Sequence, residues 1–114
     1  MTAPPAIPVA IDPLALSRAV DRPYDNRALP VVNDHEVRMS VMTTDYGWHF
    51  HPDSDETFLV LNGALVIEFE AGTRILTAGE MLTVPRGTRH RTRPAGGRSV
   101  NLTFERVGAE TVFV

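Results

Sequence analysis

The residues of this chain best suited to chemistry are three histidines and one glutamate at short intervals. His49 and His51 are two residues apart, Glu56 follows soon after, and His90 lies further along. On an extended strand, residues i and i+2 point to the same face, so the first two imidazoles can bind the same metal ion. Imidazole with carboxylate suits zinc, iron, nickel, copper, cobalt or manganese, and leaves coordination positions free for water or substrate. The spacing is therefore compatible with a metal site.

Each of these residues also has a purely structural interpretation. Strand histidines are commonly solvent-facing or hydrogen-bonded core residues, and His90 lies in the basic run 89–91, where a surface position is equally ordinary. Glu56 could be an exposed residue at a strand start. The alternation of Glu56 with Phe58 and Val60, however, puts its carboxylate on an apolar row, where an unpaired charge is costly to bury. A cation would remove that cost.

The bulk composition limits the function classes. The 114 residues suffice for one domain with its own core. With 11 basic and 14 acidic residues the net charge is −3, which argues against nucleic acid and anionic membranes as partners. No cysteine is present, so disulfides and thiolate sites are excluded. Prolines interrupt the first residues and no long apolar run occurs, so we expect a cytoplasmic protein without a targeting or membrane-spanning segment.

The elements that must position these residues form an N-terminal arm, residues 1–30, and a strand-rich body, residues 31–114. In the arm, Asp12-Pro13 looks like an N-cap followed by a favoured first helical residue. In the body, short segments rich in β-branched and aromatic residues alternate with turn pairs, and no helical period survives. Many short antiparallel strands predict an all-β fold, in practice a jelly-roll barrel.

Two turn pairs predict specific hairpins. Asn33-Asp34 separates Val31-Val32 from the segment 36–41, and Asn62-Gly63 separates the segments 57–61 and 64–70. Asn-Gly is the strongest short-range hairpin signal, because both residues tolerate the positive φ angles of a tight turn. The sequence therefore predicts that each pair of segments forms adjacent antiparallel strands.

The motifs together resemble those of the cupin family of small β-barrels. The first cupin motif is His-x-His, a glutamate after a four-residue gap, and a glycine after six more residues, matched here by His49-Phe50-His51, Glu56 and Gly63. The second is a glycine, then Pro-x-Gly and a histidine, matched by Gly79, Pro85-Arg86-Gly87 and His90. The resemblance spans about residues 31 to 107. Thr43 and Pro94 stand where the family usually has a glycine and an asparagine, and neither position is a ligand.

The resemblance implies a cupin-type double-stranded β-helix with a metal held by His49, His51, Glu56 and His90. It also implies a metal-dependent enzyme of dioxygenase, isomerase or lyase type acting on a small organic molecule, with Glu56 as fourth ligand or as a catalytic base. A non-catalytic module that binds or senses a metal or small molecule is the alternative, and a metal that only stabilises the fold is a third.

The remaining candidates divide by strand alternation. If His90 points inward, Arg89, Arg91 and Arg93 point outward, where the carboxylates of Glu68 and Glu70 are their natural partners. Arg86, in the turn beside the site, is the one arginine expected as an anchor for an anionic group. Trp48 and Phe50 face away from the metal and need a cover, either the N-terminal arm or a second subunit, and we expect a homodimer, as is common among cupins. Four further residues are candidates either for the cavity lining or for plain core or rim positions: Met39, Tyr46, Met81 and Thr92.

Overall fold

The computed structural model describes residues 7–114. The N-terminal segment contains the predicted helix. Helix α1 spans Pro13–Arg18, and the Asp12 carboxylate accepts a hydrogen bond from the Ala15 amide at 3.2 Å. This is the predicted N-cap, and Pro13 is the first helical residue. Pro4 and Pro5, two of the prolines that interrupt the first residues, lie outside the described residues. No helix within residues 7–114 is long and apolar enough to cross a membrane.

The body is a jelly roll of ten strands in two antiparallel sheets, as the sequence predicted. The first sheet has the order β1-β2-β9-β4-β7 and the second has the order β10-β3-β8-β5-β6. The strands are β1 Tyr24–Val32, β2 His35–Met42, β3 Tyr46–Phe50, β4 Glu56–Asn62, β5 Ala64–Phe69, β6 Gly72–Thr77, β7 Met81–Val84, β8 His90–Pro94, β9 Ser99–Arg106 and β10 Val112–Phe113.

The hairpin predicted at Asn33-Asp34 is confirmed and is longer than expected. Strands β1 and β2 pair in antiparallel register from Val32 and His35 back to Tyr24 and Met42. Asn33 adopts a φ of 56°, the left-handed conformation that asparagine tolerates. The strand expected to start near residue 31 thus starts at Tyr24, within the segment assigned to the arm.

The hairpin predicted at Asn62-Gly63 is wrong, because the two flanking strands lie in different sheets. Strand β4 pairs with β7 and β9, whereas β5 pairs with β6 and β8. Gly63 does adopt a positive φ of 72°, and a Cβ there would lie 2.2 Å from the Arg98 carbonyl oxygen. The Asn-Gly pair therefore encodes a tight corner between the sheets. A local turn signal specifies the backbone angle and not the partner of the next strand.

The inner faces of the two sheets enclose an apolar core at one end and a polar cavity at the other. The core is a cluster of buried side chains from both sheets: Met42, Phe58, Val60, Leu65, Ile67, Leu76 and Val84. Strand β4 buries alternate residues from Glu56 to Val60, as its apolar row predicted. The core thus fixes the spacing of the sheets beside the polar cavity, where the candidate ligands lie.

Candidate metal centre

Two adjacent strands of the second sheet and one strand of the first place the four candidate ligands. His49 on β3 is directly opposite His90, the first residue of β8, in the antiparallel ladder. Glu56 is the first residue of β4, across the barrel. His51 follows the end of β3 and lies on the same side as His49. The sandwich therefore brings together all four residues that the motifs singled out.

The four side chains converge on one point. Each offers one ligand atom, and these atoms all lie within 4.8 Å of one another. All four side chains are buried, and His90 has no exposed surface. Buried groups of this kind, with three imidazoles and one carboxylate so close, form the donor set of a transition-metal site.

The backbone orients each of the three imidazoles in the same way. The Nδ1 atom of His49 is 2.7 Å from the Gly47 carbonyl oxygen, and that of His90 is 2.8 Å from the Thr88 carbonyl oxygen. The Nδ1 atom of His51 is 3.0 Å from the carbonyl oxygen of Glu110. A carbonyl can only accept, so each Nδ1 carries the hydrogen and donates. In the neutral form of each ring the lone pair is therefore on Nε2, and this is the form that ligates metal.

The Nε2 atoms lie against the Glu56 carboxylate in a way that fits a cation. The Oε1 atom of Glu56 is 3.2 Å from the Nε2 of His90 and 3.3 Å from the Nε2 of His51. The His51 contact is out of line for a hydrogen bond, so this buried nitrogen has no hydrogen-bond partner among residues 7–114. Lone pairs of nitrogen and oxygen that face one another need a positive ion or a proton between them.

The electrostatics of the protein groups also favour a cation here. Burial lowers the pKa of His49 to about 4, so its imidazole is neutral near pH 7. Burial by itself would raise the pKa of Glu56, but the close contacts with the imidazoles of His51 and His90, and the attraction to them, lower it to about 2. Burial opposes protonation of His51, but the Glu56 carboxylate outweighs it and raises the His51 pKa to about 9. The carboxylate is therefore ionised and draws positive charge to its neighbours.

The two motifs are joined by backbone contacts at the site. The Gly87 amide donates to the His51 carbonyl oxygen at 2.8 Å, which ties the turn before His90 to the end of β3. The Asp55 carboxylate accepts from the Arg86 amide at 2.8 Å, next to Glu56. The Pro85-Arg86-Gly87 turn thus positions the segment that carries the third imidazole.

A cavity of about 430 Å³ opens from the metal centre into the barrel. His49, His51 and Glu56 form part of its lining, and so do Tyr46 and Thr92, two of the four residues considered as cavity lining. Of the other two, Met39 is buried in a separate apolar cluster and Met81 is exposed. The cavity has the size of a small-molecule site.

The arginines lie largely where alternation predicted. Arg91 and Arg93 contact the Glu68 carboxylate at 2.7 and 3.0 Å, and Arg89 lies 3.8 Å from Glu70. Arg86 is exposed, lies 3.8 Å from Asp55 and is not among the residues that line the cavity, so its role as an anchor stays a prediction. Its main chain, rather than its guanidinium, is what contacts the site region.

The aromatic residues beside the first motif are partly covered within the chain. The Arg91 guanidinium lies 5.1 Å from the Trp48 ring centroid, so this tryptophan is on the outer face as predicted. Both Trp48 and Phe50 are half-buried. The cover expected from a second subunit is thus supplied in part by a cation–π contact.

Sequence reasoning missed a row of inward polar side chains on β9. Ser99, Asn101, Thr103 and Glu105, here called the polar row, are buried at alternate positions, and the last three line the cavity. The signal was available, because the strand predicted over 99–105 has polar residues at every second position.

Comparison with known proteins agrees with this fold. A family model described as the cupin domain matches residues 35–104. The chain belongs to the cupin family. The uncharacterized protein YdbB of Bacillus subtilis (strain 168) is 47% identical to this cupin over 102 residues, which cover 89% of each chain.

Solved structures show the same architecture. A cupin-2 domain containing protein from Shewanella frigidimarina NCIMB 400 superposes with a TM-score of 0.78 at 27% identity, covering 84% of this chain and 93% of the other. Protein NMB1881 from Neisseria meningitidis superposes with a TM-score of 0.76 at 22% identity, covering 86% of this chain and 99% of the other. At that identity the second likeness shows the fold alone.

Proposed function

We propose that this cupin is a metal-dependent enzyme that acts on a small organic molecule. His49, His51, Glu56 and His90 would hold one divalent transition metal, and the adjacent cavity would hold the substrate. The observation that carries the proposal is the common orientation of the imidazoles. All three donate through Nδ1 to backbone carbonyls, and their Nε2 atoms remain available beside a carboxylate. Rings oriented only for packing need no such shared arrangement.

A bound metal with open coordination positions would polarise a substrate oxygen or activate dioxygen. The chain's own groups have separate tasks. The imidazoles keep their lone pairs on the cavity side because their other nitrogens are held by the backbone. Glu56 is the group proposed as catalytic, either as fourth ligand or as the base that takes a proton from substrate. Its low pKa, about 2, favours the role of ligand over that of base.

Metal analysis of protein purified without chelator tests the proposal first. We expect about one equivalent of a transition metal per chain, bound at the four-residue site. Oxygen uptake and product formation would then be measured over small phenolic, diketone and sugar substrates. Zinc held tightly without turnover would contradict a dioxygenase, and tight binding of metal and ligand without any turnover would instead support a binding or sensing module.

We also propose that the protein forms a homodimer. Several apolar side chains remain exposed at sheet edges, including Val31 and Val32 on β1 and Phe113 on β10. Exposed apolar residues on an edge strand are usually covered by a partner. Sedimentation analysis checks this proposal, and a monomer whose N-terminal segment is protease-sensitive would contradict it. The cytoplasmic location stays a prediction from the sequence.

A further inference from the structure

The wall of the cavity opposite the histidines carries polar groups that the fold does not use. Asn101 and Thr103 belong to the polar row of β9 and are 1% and 3% exposed. The Asn101 amide nitrogen is committed to the Ser99 hydroxyl at 3.3 Å and the Met42 sulfur at 3.8 Å. Its Oδ1, and the Oγ1 of Thr103, have no hydrogen-bond partner among the described residues.

Such groups cost stability unless something else binds them. A buried hydrogen-bonding group without a partner loses about 1–3 kcal/mol of solvation that nothing in the fold returns. An apolar residue of the same shape would avoid that loss at either position. Both residues line the cavity that also contains the candidate metal centre, and a change of side-chain rotamer would turn either oxygen into it. Their natural partner is therefore a molecule in the cavity.

The positions of the two atoms limit what that molecule can be. Residues two apart on a strand lie about 7 Å apart on the same face, which is the span of a monosaccharide-sized molecule. The Asn101 oxygen can only accept a hydrogen bond, and a threonine hydroxyl can accept or donate. The ligand must therefore present hydrogen-bond donors, which hydroxyl groups or amines would supply.

The cationic groups near Thr103 favour hydroxyl groups over amines. Arg38 is directly opposite Thr103 in the β2–β9 ladder and also lines the cavity. Its guanidinium lies 3.1 Å from the Glu36 carboxylate, and Glu105 is the acidic member of the polar row that lines the cavity. An ammonium group beside Thr103 would face both this guanidinium and the proposed metal ion.

We infer that Asn101 and Thr103 bind hydroxyl groups of a small polyhydroxylated substrate, a sugar, polyol or sugar acid. The inference rests on the proposed function, because the metal at the histidine wall would bind an oxygen at the other end of the same molecule. Asn101 and Thr103 are specificity-determining residues in this scheme, and they take no part in the chemical step.

The test compares Thr103→Val with wild type and with Thr57→Val. Thr57 is on β4 beside β9, and its hydroxyl contacts Thr83 on the exposed face at 2.8 Å, so the control makes the same chemical change outside the cavity. Calorimetry with metal-loaded protein would measure binding of glucose, xylitol, gluconate and glucuronate. Catechol, acetylacetone and a monoamine such as ethanolamine serve as comparison ligands.

We expect at least one polyhydroxylated ligand to bind wild type and Thr57→Val equally and Thr103→Val about 3- to 10-fold more weakly. Thr103→Val should also keep its metal and melt at the same temperature or higher, because a buried unpaired hydroxyl has been removed. A residue with only a structural role would show the reverse, a lower melting temperature and unchanged affinity. Asn101→Leu is the second variant, with the same expected loss of affinity.

Three outcomes would overturn the inference: no polyhydroxylated ligand binds, catechol or the amine is preferred, or Thr103→Val binds the polyhydroxylated ligand like wild type. Failure of the proposed function looks different. Wild type would then hold no metal, and the effect of Thr103→Val on ligand binding to metal-free protein would still decide the role of Asn101 and Thr103.

Discussion

His49 and His90 lie directly opposite each other across the β3–β8 ladder, with ring centroids 4.2 Å apart. Directly opposed residues of an antiparallel pair hold their side chains on the same face at close distance. The register of two strands, rather than a loop, therefore sets the separation of two candidate ligands. A one-residue slip would move one imidazole to the outer face of the sheet.

Replacing His51 by alanine should remove the metal. One of four ligand atoms is lost, and the two remaining imidazoles and Glu56 bind a divalent ion less tightly. We expect metal content per chain to fall at least tenfold, measured by elemental analysis after dialysis. His35→Ala is the matched control, because His35 is exposed on β2 and its ring lies 2.8 Å from the Asp34 carboxylate, outside the group of candidate ligands. Equal metal content in the two variants would refute the assignment of the site.

Metal affinity should rise with pH up to about pH 9. Glu56 raises the pKa of His51 to about 9, so a proton occupies the His51 imidazole below that pH and must leave when metal binds. Each pH unit below the pKa then lowers the apparent affinity by up to about tenfold. Competition titrations of metal-free protein at two pH values between neutrality and pH 9 would measure the slope. An affinity that does not change with pH would contradict protonation of His51.

Glu105 should make the metal-free protein less stable as pH rises from 4.5 towards 7. Burial raises the Glu105 pKa from 4.5 to about 7, and repulsion from Glu56 adds to the shift. In the β4–β9 ladder Thr57 pairs with Phe104, and the next pair along the same register brings Glu56 opposite Glu105. Between those pH values the folded chain holds a proton that the unfolded chain has lost, so the free energy of unfolding decreases with pH.

Glu105→Gln removes this titration and isolates its contribution. Wild type should lose about 3 kcal/mol more than the variant over this interval. Urea unfolding of both proteins at the two ends of the interval measures the difference. Stability curves that stay parallel in wild type and variant would show that Glu105 titrates normally in the folded state.

Gly63→Ala should destabilise the protein severely. Gly63 has a φ of 72°, and an added Cβ would lie 2.2 Å from the Arg98 carbonyl oxygen, which is backbone and cannot move freely. Left-handed strain costs about 1–2 kcal/mol, and relieving the clash requires a shift of the corner between β4 and β5. We expect a loss of at least about 3 kcal/mol or no soluble protein.

Gly97→Ala is the matched control for the corner variant. A Cβ at Gly97 has no atom within 4 Å, and its φ is not in the positive range. Thermal melts of both variants would compare them, and we expect the control to melt close to wild type. Equal melting temperatures would contradict the steric argument for Gly63.

Much of the site could be predicted because its determinants are local in sequence. Alternation along a strand assigned His49 and His51 to one face and Trp48 to the other, and the motif spacing added Glu56 and His90. The orientation of the rings could not be predicted in this way. The partner of the His51 Nδ1 is the carbonyl of Glu110, near the other end of the chain, and its position depends on the C-terminal segment packing beside β3.

The limits of the fold prediction have a similar cause. The hairpin predicted at Asn33-Asp34 is confirmed, because the next strand in sequence is also the next strand in the sheet. The hairpin predicted at Asn62-Gly63 is wrong, because the chain passes there from one sheet to the other. Turn chemistry specifies φ and ψ over two residues, whereas strand partners follow from burial of both inner faces. The inward orientation of the polar row could not be predicted, because alternation by itself does not tell which face of a strand is enclosed.

All three imidazoles are held by carbonyl oxygens of the main chain, and this has a consequence for how the protein can diversify. Substitutions at Gly47, Thr88 or Glu110 change a side chain but leave the carbonyl that fixes the ring. The opposite wall, by contrast, consists of side chains that a single base change can alter. The two halves of the cavity can therefore be varied independently, because the candidate ligands keep their orientation while the side chains of the opposite wall change.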